Sequence, residues 1–168
     1  SILVDRLLDL APVALTVLDV SPAALNRAKS RLGARARSVN WIESDVTLIE
    51  SVGEFDFWHD RAVFHFLTDR EDRSGYTELA RRSLVPGGCA VIATFAPSGP
   101  SQCSALPVIR YDATSLPAEF GDGFELIDYR EVRHLTPWGA PQQFSYFKLQ
   151  KATARNCIAP GWSKPRPD

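Results

Sequence analysis

Ala14-Leu15-Thr16-Val17-Leu18-Asp19-Val20-Ser21-Pro22 is the stretch whose reading decides the fold. Its first seven residues are a short apolar run with β-branched members, the composition of a strand buried on both faces of a parallel sheet. Ser21 then reads as a helix N-cap and Pro22 as the first helical residue, where a missing N–H is no loss. Leu25, Ala28 and Leu32 give that helix its apolar stripe, and Gly33 stands where a C-cap falls. Arg27, Lys29 and Arg31 turn mostly to water.

The pattern continues on both sides. Upstream, Ile2, Leu3, Leu7 and Leu10 fall at helical spacing, so residues 2–10 read as an amphipathic helix that stops before Pro12. Downstream, strands are expected at 39–42, ending at Asp45, and at 55–59. A helix capped by Thr68 or Asp69 runs to about Leu84 and is broken by the turn Pro86-Gly87-Gly88. Residues 89–95 form an apolar strand, and 96–107 read as a loop too polar and broken for regular structure. A short helix at 114–120 follows, then strands at 124–134 and 143–151 around a turn at 136–139. Strands alternating with helices and closing on a hairpin argue for an α/β domain of three layers. The sheet is Rossmann-like and doubly wound, mostly parallel, with an antiparallel C-terminal hairpin. Residues 1–151 make this domain, and the proline-bearing tail 152–168 is expected to be disordered or loosely docked.

Composition narrows the function. The chain has 168 residues, 45% hydrophobic and 23% charged, with 19 basic and 20 acidic side chains. A net charge of −1 lacks the basic footprint of a nucleic-acid binder. No apolar run approaches the ~18 residues of a membrane span. Asp5 and Asp9 break any signal peptide, so the chain reads as soluble and cytoplasmic. Cys89, Cys103 and Cys157 form no CxxC pair and share no metal-ligand spacing with His59, His65 and His134, so neither a disulfide framework nor a metal site is expected.

In an open parallel sheet the ligand crevice lies at the carboxyl ends of the strands. Asp19 closes one strand there, where a carboxylate can accept from both hydroxyls of a cofactor ribose; otherwise it merely leads into the Ser21 cap. Asp45 could accept from a purine amine or serve as a turn residue before Val46. His59, Asp60 and Arg61 end the third strand. His59, Arg61 and His65 could orient or deprotonate an acceptor, a histidine titrating near neutrality. For His65 the alternative is structural, with Phe64, Phe66 and Leu67 packing a short helix on the sheet. Tyr111, Trp138, Phe144 and Tyr146 could wall an acceptor pocket, or pack the sheet and hairpin.

Four segments taken in order resemble the class I S-adenosylmethionine-dependent methyltransferases. They are Thr16-Val17-Leu18-Asp19-Val20-Ser21, Trp41-Ile42-Glu43-Ser44-Asp45-Val46, Phe55-Asp56-Phe57-Trp58-His59-Asp60 and Leu84-Val85-Pro86-Gly87-Gly88. The resemblance runs from about residue 2 to 151. It implies S-adenosylmethionine as cofactor, with Asp19 on the ribose, Val20 beside the adenine, Asp45 and Val46 contacting the adenine, and His59 near the methionine moiety. Arg61 and Trp138 are then the candidates for touching a small-molecule methyl acceptor. The Asn/Asp-Pro-Pro-aromatic sequence of the members that methylate nucleic-acid amines is replaced here by His59-Asp60-Arg61-Ala62, which argues against a base-amine substrate.

The family's first strand and glycine-rich loop have no counterpart, since no glycine precedes Gly33 and methionine is absent. A chain beginning at Ser1 would leave the edge of the 15–20 strand open, so it is expected either to pair as a homodimer or to aggregate. Two other readings stay open: a non-catalytic remnant acting as an interaction module, and a nicotinamide-dependent oxidoreductase, for which Asp19 would also suit a ribose. The terminal hairpin and the lack of a Tyr-x-x-x-Lys pair weigh against the latter.

Overall fold

The computed structural model describes residues 2–10, 14–136 and 139–153. They divide after Glu50 into two compact units. In the first, helix α1 (Leu3–Asp9) precedes strand β1 (Thr16–Asp19), helix α2 (Pro22–Leu32), a 3₁₀ turn (Gly33–Ser38) and strand β2 (Asn40–Glu43). β1 and β2 pair in parallel, Thr16 opposite Asn40 through Asp19 opposite Glu43. The cap of α2 is as expected: Ser21 Oγ accepts from the Ala24 N–H at 3.2 Å, and Pro22 opens the helix. β1 is shorter than its apolar run, and its residues are only half-buried.

Arg31 does not simply face water. Its Nη2 meets Asp5 Oδ2 at 2.8 Å, and Arg35 Nη2 meets Asp9 Oδ1 at 2.7 Å, so two ion pairs tie α1 to α2 and the turn after it. Exposed pairs of this kind are screened by water and contribute little to stability. They set the helix's position more than its stability.

The second unit holds strand β3 (Phe55–Arg61), a 3₁₀ turn (Phe64–Phe66), helix α3 (Arg70–Ser83), strand β4 (Leu84–Phe95), strands β5 (Gln102–Cys103) and β6 (Leu106–Pro107), helix α4 (Ser115–Phe120), and strands β7 (Phe124–Leu135) and β8 (Pro141–Lys151). Its main sheet has the order β3-β4-β8-β7. β3 and β4 run parallel, while β8 is antiparallel to both β4 and β7. The expected hairpin is present, and it makes this sheet mixed.

Side chains alternate across the pleat. One face carries Ala90, Ile92, Thr94, Phe147 and Leu149, all fully buried. Phe64 packs in the same unit with its ring 4.9 Å from Tyr76, 5.4 Å from Tyr111 and 5.7 Å from Phe120. Tyr111 is therefore a core residue and no wall of a pocket. Its hydroxyl approaches Glu119 at 3.4 Å.

Three local expectations change. Pro86-Gly87-Gly88 does not separate helix from strand: α3 ends at Ser83 and β4 starts at once. The turn becomes an irregularity inside β4, with Phe55 opposite Leu84 and Phe57 already opposite Cys89. Gly87 takes φ +81° there. The 96–107 loop contains the β5–β6 hairpin, whose two-residue connection puts Ser104 and Ala105 at φ 51° and 63°. Such left-handed pairs are usually marked by Asn-Gly, and this one is not. Strand β8 also begins earlier than expected, at Pro141. Trp138 and residues 154–168 of the tail lie outside the described residues.

Gly88 sits where a Cβ would meet the Val85 carbonyl oxygen at 2.9 Å and the Asp56 carbonyl oxygen at 3.1 Å. Both are backbone atoms and cannot swing aside. Gly88→Ala should destabilise the fold by about 1–3 kcal/mol in urea unfolding, the usual scale for overpacking, whereas Gly75→Ala, with open space around its Cβ position on α3, should not.

Candidate functional site

The carboxyl ends of β1 and β2 carry the first group of candidates. Asp19 ends β1, and its Oδ1 accepts from the Ser21 N–H at 2.8 Å, closing the turn into α2. Its other oxygen has no protein donor among the described residues. Val20 follows with 67% of its surface exposed, an apolar side chain left outside at a strand end. The Ser44 N–H donates to the Asp19 carbonyl at 3.3 Å, which brings the end of β2 alongside. Asp45 stands just beyond, exposed, its Oδ1 accepting from the N–H and the hydroxyl of Thr47, both at 2.9 Å. Val46 is different: only 8% exposed, its side chain belongs to the core and leaves its backbone to offer a ligand.

The second group lies on β3 in the other unit. Phe57, His59 and Arg61 project on one face, Trp58 and Asp60 on the other. The His59 ring lies 6.4 Å from that of Phe57. Desolvation first, and the Arg61 charge second, hold its pKa below the usual histidine value, so the imidazole is neutral at neutral pH. The Arg61 guanidinium sits 5.7 Å from the centre of the Phe144 ring. Phe144 packs with Ala93 and Phe95, and Ala62, Cys103, Val108 and Tyr146 close around them. Phe144 is core, as expected. Tyr146 is only partly buried.

His65 is fully buried. Its Nδ1 accepts from the Phe95 N–H at 3.3 Å, which puts the ring proton on Nε2. That Nε2 has no hydrogen-bond partner among the described residues. Burial pulls the pKa down to about 4. A ring closed in this way between Phe66 and Phe95 holds the turn after β3 beneath β4 and does not meet an acceptor.

In the sequence Asp60 reads as one more polar strand end, yet in the fold it is the best-connected of them. It is 5% exposed and accepts from the Val63 and Phe64 N–H groups at 2.8 and 2.9 Å and from the Tyr76 hydroxyl at 2.7 Å. Tyr76 in turn accepts from Trp58 Nε1 at 2.9 Å. Burial raises the Asp60 pKa and the three donors pull against that. The usable signal was the alternation itself, which turns Asp60 inward if His59 and Arg61 turn outward. No group of three His, Cys, Asp or Glu side chains among the described residues is arranged to hold a metal ion. No helix of the described residues is long and apolar enough to cross a membrane.

A family model described as a methyltransferase domain matches residues 2–88. Among solved structures, the chain is similar to the N-methyltransferase NodS from Bradyrhizobium japonicum, with TM-score 0.66, 18% identity, and 83% of this chain and 74% of that one covered. A methyltransferase dependent on S-adenosylmethionine (SAM) from Methanosarcina mazei gives TM-score 0.65 at 16% identity over 83% and 82% of the two chains. The Burkholderia thailandensis 1,6-didemethyltoxoflavin-N1-methyltransferase, whose structure holds 1,6-didemethyltoxoflavin and S-adenosylhomocysteine, gives 0.61 at 19% over 82% and 60%. No curated protein matches the chain.

The buried neutral His65 carries a testable consequence. Unfolding frees an imidazole of ordinary pKa, so between pH 6.5 and about 4 the unfolded chain takes up a proton that the folded chain refuses. The contribution is fully present above pH 6.5 and is lost as pH falls, by roughly 3 kcal/mol in all. Urea unfolding from pH 7 to 4 should show this loss, and His65→Leu should flatten most of it. An unchanged slope in the variant would exclude His65 as its source.

Proposed function

The chain belongs to the methyltransferase-domain family, whose cofactor is SAM, and from that premise we propose that it transfers a methyl group from SAM to a small-molecule acceptor. The observation that carries the reading is the pair of acids at the ends of two adjacent parallel strands. Asp19 and Asp45 each commit one oxygen to their own turn, and each keeps another without a protein donor among the described residues. Such acceptors suit a ribose diol and an adenine amine, the donors a nucleoside presents. The exposed Val20 offers an apolar contact for the adenine face, and the backbone of Val46 the remaining one. The residues present therefore fit the nucleoside part of the cofactor.

Bound there, the cofactor supplies a methyl group activated by a sulfonium. The chain's own part is to hold and orient. Asp19 fixes the nucleoside through the ribose, and the turn hydrogen bond to Ser21 keeps the carboxylate from reorienting. His59 presents a neutral imidazole able to take a hydrogen bond or a proton from an acceptor. Methyl transfer is governed mainly by placement, so a strong general base is not required. A small acceptor is favoured by the near-neutral charge of the chain, which offers no phosphate-backbone footprint.

Isothermal calorimetry with SAM and with S-adenosylhomocysteine tests this. Both should bind the chain. Asp19→Ala should weaken them by about tenfold or more, the scale of hydrogen bonds to a charged group. Asp19→Asn retains an acceptor for the Ser21 N–H and separates loss of the turn from loss of the charge. Binding of NAD in place of SAM would turn the reading to an oxidoreductase, and unchanged affinity in Asp19→Ala would remove that residue from the site.

A further inference from the structure

We propose that β7 is a pairing edge, along which a second copy of this chain joins its sheet antiparallel, about a two-fold axis at Val132. In the order β3-β4-β8-β7 this strand is last, and no described group bonds the backbone of its far side. Which residues face outward follows from β8. The Ala96 N–H, just past β4, donates to the Gln143 carbonyl at 3.0 Å, so the odd-numbered residues of β8 turn their backbone to β4 and the even-numbered ones to β7. Asp128, Arg130, Val132 and His134 stand opposite those even-numbered residues. The N–H and C=O groups of Tyr129, Glu131, Arg133 and Leu135 therefore point away from the sheet.

Natural edges are blunted by shortness, bulges or charged side chains. Strand β7 is 12 residues long, and its bulge lies near one end, between Leu126 and Asp128. Beyond it the register runs unbroken from Asp128 to Leu135. The charges there are of both signs, and apolar residues stand among them: Val132 is 46% exposed and Leu135 57%. The Arg133 guanidinium makes no hydrogen bond or ion pair with any described residue. Glu131 accepts from the Tyr129 hydroxyl at 2.7 Å and from Gln143 Nε2 at 3.3 Å, and neither donor is a cation. An acid and a base without counter-ions thus sit two positions apart on an open edge.

Symmetry selects the register. In a two-fold antiparallel pair one residue meets its own copy on the axis, and the residues on either side of it meet each other in reverse order. With Glu131 or Arg133 on the axis, like charges stand directly opposite, which is destabilising. With Val132 there, two valines meet in the close, non-hydrogen-bonded position. Glu131 of each chain then lies opposite Arg133 of the other, and Tyr129 of each opposite Leu135. Arg130 falls opposite His134, its charge already met by Asp128 at 2.9 Å. The Glu131–Arg133 and Tyr129–Leu135 pairs also exchange backbone hydrogen bonds, so the outward N–H and C=O groups gain partners in the same register that pairs the charges. The edge is complementary to itself, which is why a second copy is its occupant.

Light scattering on the full chain, coupled to size-exclusion chromatography, tests this. The wild-type chain should show the mass of two chains. Arg133→Glu and Glu131→Arg should each reduce it to the mass of one, because like charges then meet along the ladder. The combined exchange, Glu131→Arg with Arg133→Glu, should restore the dimer. Val132→Lys, which sets two ammonium groups on the axis and leaves the hydrogen bonds of Glu131 in place, should also give the single-chain mass. Far-UV circular dichroism confirms that each variant is folded, and Arg133→Glu, whose side chain has no partner within its own chain, carries the test if Glu131→Arg does not fold. A monomeric wild-type chain overturns the proposal. So does a dimer that survives Arg133→Glu and Val132→Lys, since it would be formed through another surface, and so does a folded double exchange that stays monomeric.

Discussion

The second unit depends on a carboxylate taken out of water. Stripping solvent from an ionised Asp costs several kcal/mol, and only well-aimed donors offset it. Asp60 has three, two backbone N–H groups of the turn that follows it and the hydroxyl of Tyr76 on α3. Those bonds do more than satisfy an anion. They force the chain to turn at once after β3, with Ala62 at φ 65°, and so deliver Phe64 among the rings of Tyr76, Tyr111 and Phe120. His65 follows and accepts from the Phe95 N–H of β4. Strand, turn, helix and neighbouring strand are joined through one residue, and the outward aim of His59 and Arg61 is its consequence.

What the sequence disclosed were the elements with strong local signals. Ser21-Pro22 marked the start of α2, Asp69 capped α3 through the Glu71 N–H at 2.7 Å, and the terminal hairpin was legible from two alternating runs. These features are written in neighbouring residues. The acids at the strand ends were legible for the same reason, because a strand's end and a cap fix where Asp19 must stand.

The rest was hidden where the deciding partner is distant in sequence. Nothing near Arg31 predicts that Asp5, twenty-six positions away, will hold it. Tyr111 is an aromatic in a polar stretch, and only the arrival of Phe64 and Glu119 makes it core. The irregularity at Gly87 and Gly88 was misplaced because a proline-glycine-glycine run reads locally as a stop. Here β4 carries it as a bulge, admitted by the close approach of the Val85 and Asp56 carbonyls. In the β5–β6 hairpin, Ser104 and Ala105 adopt φ above zero without the usual sequence mark.

The double use of strand-end carboxylates has a further consequence for recognition. An exposed acid on a free side chain must be ordered by its ligand, at a cost of up to about 1.5 kcal/mol per immobilised side chain. Asp19 and Asp45 are ordered beforehand by their own turns, through Ser21 and Thr47. In each case one part of the group is bound to the protein and another part is left to bind elsewhere. Local folding therefore bears the entropy of arranging these groups, before any ligand arrives.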